Sequence, residues 1–338
     1  MRVSRSSLNR PVIPLHRPKG GGTRFSSRRQ DDLHVGLLFF QLEGDPEVAQ
    51  FLGNSGIKLE LRRIRSKPSY SDLAQALGHA KHAYSVGPWL GDLDYELVLR
   101  DLPSTPGSLA YGDAAEQFLN FLAVAADASL VCTPFSLTSS WSEVASSDSV
   151  RAVELSYGFS PPLRLPWSDH TVHHNSRISQ GSMDRVREWL VRPPPSLSDM
   201  VVSGAVKLAL RCLRTYFYDP DDRAQVARLW IGIEALASTA PPKKKTSSEI
   251  ASLAAKALKL TCSDRSRDDC RVYVRSLQKR RNQAVHGAIV ERREMADIVP
   301  ETAHLLRSML SAFMDNQLTL SSEDARDPSE GASGEGDG

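Results

Sequence analysis

Arg281 and His286 stand five positions apart in the run Arg281-Asn282-Gln283-Ala284-Val285-His286, which Gly287 closes. Arginine is a permanent cation whose planar fork of donors matches a phosphate. Histidine is the side chain best suited to give or take a proton near neutral pH. Together they suit acid–base chemistry at a phosphodiester, with the cation holding charge that gathers on the phosphate oxygens. Asn282, beside the arginine, either contacts the same phosphate or ties the helix end.

A helix must position these groups. Cys270 to Val285 reads as one, with Val274, Leu277, Arg281, Ala284 and Val285 on a single stripe. Arg281 therefore lies inside an apolar line, where a solvated face would not put it. A buried guanidinium needs acceptors. Glu234, inside the apolar run Leu229 to Ala237, is the candidate. It reads either as a structural partner that neutralises Arg281 or as a residue that orients it. Lys279 and Arg280 leave the stripe and read as a solvated face or as contacts to an RNA backbone. In an unbroken helix His286 would stand about 140° around and ~7.5 Å along the axis from Arg281. Gly287 marks a helix end that frees His286 to turn. A second copy of the helix, across a two-fold axis, would also complete the pair. Taken without its neighbours, His286 is a cation that favours a helix C-terminus.

The segment from about Arg185 to Asn316 resembles the HEPN superfamily, in particular its ApeA-like domains. Tyr273 through Gly287 (YVRSLQKRRNQAVHG) is similar to that family's helix ending in Arg-Asn, a short spacer and His-Gly. Leu229 to Ala237 (LWIGIEALA) is similar to its apolar helix with an embedded glutamate. The resemblance implies an all-helical bundle and a metal-independent endoribonuclease site at Arg281 and His286, completed across a homodimer. It also implies cleavage of single-stranded RNA to 2′,3′-cyclic phosphate ends, in anti-phage defence or toxin-like growth arrest. Some members keep the fold as a non-catalytic binding or dimerisation module. In that alternative Arg281 and Glu234 hold the bundle and the N-terminal part does the recognition.

Composition sets the outer limits. A chain of 338 residues with 41% hydrophobic content suggests two domains plus tails. The net charge of +2 gives no global basic field. The four cysteines, Cys132, Cys212, Cys262 and Cys270, lack a C-x-x-C pair and suggest a reducing, cytoplasmic setting. No apolar run approaches the roughly 20 residues of a membrane span, and the N-terminus lacks a signal core.

Four regions follow from punctuation. Residues 1–30 are basic, contain no acid and read as a disordered arm. Residues 31–180 read as an α+β domain of unnamed type, a possible sensor. Strands are expected over His34–Leu42, Ile57–Ile64, Tyr95–Leu99 and Val150–Ser156, with helices over Tyr70–Ala83 and Ala114–Ala126. Residues 183–318 read as a HEPN-like bundle of four or five helices. Its expected inward lines are Val202 to Tyr216, Val226 to Leu236, and Thr302, Leu305, Met309 and Phe313. Thr246 and Glu249 form a capping box before a helix with Ile250, Leu253, Ala257 and Leu260 inward. Residues 319–338 read as a disordered acidic tail.

Competing chemistry is thin. His170, His173 and His174 cluster, and His79 and His82 are three apart, without cysteine or carboxylate at matching spacing. No metal or cofactor is expected. No G-x-S-x-G elbow or Gly-rich phosphate loop occurs in a strand–helix context.

Overall fold

A computed structural model describes residues 32–38, 40–44, 48–52, 58–77, 86–100, 109–126, 131–146, 150–154, 176–192, 200–219, 221–239, 246–262, 264–285 and 292–315. The two terminal segments, the histidines at 79, 82, 170, 173 and 174, and His286 with Gly287 lie outside them.

The N-terminal half is built on a sheet. Its strands are β1 (Leu33–Leu38), β3 (Val48–Leu52), β4 (Lys58–Arg63), β5 (Leu93–Arg100), β6 (Val131–Leu137) and β7 (Ala152–Glu154). They pair antiparallel in the order β3-β4-β5-β1-β6-β7. Two short strands, β2 (Phe40–Leu42) and β8 (Ser176–Ile178), pair in parallel apart from it. The register puts Leu33, Leu99 and Leu59 in one row and Val35, Leu97 and Leu61 in the next. That face carries Phe51, whose ring meets Phe118 edge-on at 4.9 Å. Phe118 belongs to α2 (Leu109–Ala125), the helix that covers the sheet.

Polar groups on the other face are buried with their partners. Glu96 accepts hydrogen bonds from the Ser140 hydroxyl and the Trp141 backbone, both at 2.9 Å, and lies 3.2 Å from His34 Nδ1. Gly36 is required beside this cluster, because an added Cβ would come within 2.7 Å of Leu93 and Thr133. Helix α1 (Tyr70–Leu77) covers the first part of the stretch expected to run to Ala83; residues 78–85 lie outside the description.

The second half is helical: α3 (Gln180–Val191), α4 (Met200–Thr215), α5 (Asp222–Ala237), α6 (Ser247–Thr261), α7 (Arg267–Val285) and α8 (Arg292–Met314). A mostly helical molecule with an N-terminal sheet is the architecture shown. The α4, α5 and α8 lines are buried much as their periodicity predicts, through Val206, Ala209, Leu213, Val226, Leu229, Trp230, Ile233, Leu236, Thr302, Leu305, Met309 and Phe313. The Thr246–Glu249 capping box forms, each side chain bonding the other residue's backbone. On α6 the expected line holds at Ala257, which is buried, and at Ile250 and Leu253, which are half-buried against the core; Leu260 is the correction. Ala251, Ala254, Ala255 and Leu258 are buried, whereas Leu260 is exposed. The buried face is wider than the expected line, and Leu260, near the end of the helix, lies outside it.

The two halves share one cluster of buried apolar side chains. Helix α2 joins them, since it also packs on α3, α4 and α8. Phe121 of α2 meets Trp189 of α3 at 5.8 Å. The last carbonyls of α2 are met by the bundle: Arg307 donates to Ala123 at 3.1 Å and Ser182 donates to Ala125 at 2.9 Å. Arg214 of α4 reaches back, donating to Asn120 at 3.0 Å and to Glu116 at 3.2 Å.

Candidate functional site

Helix α7 starts at a reciprocal pair in which Asp269 N–H donates to Ser266 Oγ at 3.0 Å and Ser266 N–H to Asp269 at 3.3 Å. It buries Cys270, Val274, Leu277 and Ala284. Arg281 falls on the same line between Leu277 and Ala284, as its spacing predicts. Val285, expected on that line, is an exposed large hydrophobic. It follows Ala284 by 100° around the helix, which carries it off a narrow seam.

The Arg281 side chain is 19% exposed and that of Glu234 is 46% exposed. Their closest atoms, Nη2 and Oε1, are 3.7 Å apart. That is an electrostatic contact, too long for a hydrogen bond. Nη1 donates to Asn282 Oδ1 at 2.9 Å. The guanidinium carbon lies 5.6 Å from the ring centroid of Trp230, within cation–π range. Arg281 Nε is buried and has no hydrogen-bond partner among the described residues.

Trp230 and Glu234 are one turn apart on α5, so one face of that helix supplies both groups. Gly232 lets α5 seat closely, because a Cβ there would come within 2.9 Å of Leu306 of α8 and 3.1 Å of Cys212 of α4. The sequence singled out Glu234, Arg281 and Asn282, and the fold brings all three together. Trp230 was read there only as core. Its position four residues before Glu234 was the available signal.

Arg280 does not lie on an open face. It is half-buried and ion-paired to Glu301 of α8. Tyr273 joins this group through Glu301; burial first, and then the negative charge of Glu301, pushes its phenol up to about 12. Lys279 is exposed. His286 follows the last described residue of α7 directly, so its relation to Arg281 lies outside the described residues.

Among the described residues no group of histidine, cysteine, aspartate or glutamate is arranged to hold a metal ion, and no helix is long and apolar enough to cross a membrane. No family model, curated protein or solved structure matches the chain.

Proposed function

We propose that the protein is a metal-independent endoribonuclease of the HEPN type that acts on single-stranded RNA as a homodimer in the cytoplasm, in a defence or toxin-like role. One observation carries this reading. Arg281 stands in a helical seam with its cation supported by an aromatic face and a loose carboxylate, and among the described residues its Nε has no hydrogen-bond partner. Arg280 also leaves its Nε unpartnered among the described residues, but Glu301 neutralises it, whereas the carboxylate nearest Arg281 stands off at 3.7 Å.

In the proposed step a ribose 2′-oxygen attacks the adjacent phosphorus and its proton passes to a base. The bond to the 5′-oxygen breaks, and that oxygen takes up a proton. His286 is assigned the proton transfers. Arg281 stabilises the charge on the non-bridging oxygens, and Asn282 helps to seat the phosphate. The products are a 2′,3′-cyclic phosphate and a 5′-hydroxyl. The exposed Lys279 is the backbone contact retained from the sequence reading. Arg280 is less suited to it, because Glu301 already neutralises its charge.

The test is cleavage of a labelled single-stranded RNA in the presence of chelator by wild type, Arg281→Ala and His286→Ala. Loss in both variants supports the assignment, and equal cleavage by all three rejects it.

The non-catalytic reading draws on the same contacts, since Glu234, Asn282 and Trp230 all face Arg281 within the chain. It requires Arg281→Ala to unfold the bundle. The exposure of Glu234 and the 3.7 Å separation argue for a small stability effect instead.

A further inference from the structure

Trp230 is 1% exposed, and its ring faces the cation. An aromatic face attracts a guanidinium through its quadrupole and uses none of its N–H donors. A carboxylate does the reverse, because a side-on pair with arginine consumes two donors at once. Glu234 is near enough to form such a pair, yet Oε1 stops 3.7 Å from Nη2. Among the described residues, Nη1 has Asn282 as its hydrogen-bond partner and Nε has none.

We propose that Trp230 is a positioning residue that holds the Arg281 guanidinium off Glu234 and so keeps its donors free for a phosphodiester; this rests on the ribonuclease reading above. Without the aromatic face the cation swings to the nearest carboxylate and forms the side-on hydrogen-bonded pair that the 3.7 Å separation now prevents. Arg281 is then neutralised in place and offers less of its fork to the transition state. Glu234 is thus a competitor of the phosphate, and the indole sets how well it competes.

The experiment uses the full chain and a 5′-labelled single-stranded RNA oligonucleotide with chelator. The variants are Trp230→Phe, Trp230→Leu, Glu234→Gln, the double variant W230L/E234Q, and Arg281→Ala as the control for the site. Trp230→Leu is expected to lower kcat by about tenfold with KM within about twofold, and Trp230→Phe by about threefold. Glu234→Gln should restore most of the loss in the double variant, which a packing defect would not allow.

Wild-type kcat in Trp230→Leu with an inactive Arg281→Ala overturns the proposal and leaves the site assignment standing. A loss that Glu234→Gln does not restore also overturns it. Full activity in Arg281→Ala removes the site assignment and this proposal together. Should Trp230→Leu not fold, Trp230→Phe with and without Glu234→Gln decides by the same rule.

A second readout does not depend on cleavage. The melting shifts of Trp230→Phe and Arg281→Met should be non-additive in the double variant, because the two residues share a contact. Simple addition would overturn the proposal.

Discussion

Arg214 and Arg281 are both arginines set into helical seams, and they use their donors differently. Arg214 is 2% exposed and bonds Asn120 and Glu116 of α2 at 3.0 and 3.2 Å. Its charge is spent inside the fold, where it ties the helical half to the helix that covers the sheet. Arg281 is 19% exposed, faces an aromatic ring and a carboxylate 3.7 Å away, and leaves Nε without a hydrogen-bond partner among the described residues. Burial alone therefore does not tell a structural cation from one available for chemistry. What separates these two is the carboxylate: it is hydrogen-bonded to Arg214 at 3.2 Å, but stands 3.7 Å from Arg281 without a hydrogen bond.

The contrast breaks most sharply at Arg214. Arg214→Met leaves the buried Asn120 and the Glu116 charge without their partner, at a cost of about 3 kcal/mol. Thermal unfolding should fall by about 6–12 °C. Arg281→Ala removes a loose and partly exposed pair, so it should cost at most about 1 kcal/mol and shift melting by less than ~4 °C. Its effect on RNA cleavage should be about 10²- to 10³-fold. If melting instead falls more in Arg281→Ala than in Arg214→Met, the roles of the two arginines are reversed.

Alkali separates the two regions next. Burial pushes the Cys132 thiol, near Arg214, from 9.0 up to about 11, even though the Arg214 charge pulls it back. Tyr273, in the seam between α7 and α8, is raised from 10.0 to about 12. In both cases the fold favours the protonated form. Stability is fully present below the unfolded-state value and is lost as pH rises toward the folded-state one. Melting temperatures should fall from about pH 9 onward, and Tyr273→Phe should flatten only the part above about pH 10. An unchanged alkaline limb in Tyr273→Phe would show that the Tyr273 phenol does not contribute to it.

The smallest effect belongs to Lys279. As an exposed contact to an RNA backbone, it should change affinity by about threefold when replaced by alanine. The slope of binding against salt concentration should drop by about 0.7. A slope identical to wild type would remove it from the interface.

What the sequence disclosed follows from how strongly each element is patterned. The α5 and α8 lines carry large apolar residues at helical spacing, and the interior follows them. The α6 line is blurred by Ala251, Ala254 and Ala255, which widen the buried face around Ala257, while Leu260 falls outside it. β6 was missed because Pro134 breaks its pattern. The strand survives through a register shift beside Gly36, where Thr133 Oγ1 accepts the Gly36 N–H and donates to Phe135 O. β3 was missed because it is short, and α3 because Arg185, Arg187 and Glu188 dilute its apolar line. At the site, Glu234, Arg281 and Asn282 were legible because each is a polar group in an apolar run or beside one. The engagement of Arg280 by Glu301 was not, because it depends on where α8 lies.

The central claim is that Arg281 serves a phosphodiester rather than the bundle. It is tested most directly by cleaving 5′-labelled single-stranded RNA with chelator present, using wild type, Arg281→Ala and His286→Ala of matched melting temperature. The account predicts fragments with 2′,3′-cyclic phosphate ends from wild type, and cleavage slowed by about 10²- to 10³-fold in either variant. Equal cleavage by the Arg281→Ala protein, or intact RNA with the wild type, would contradict it.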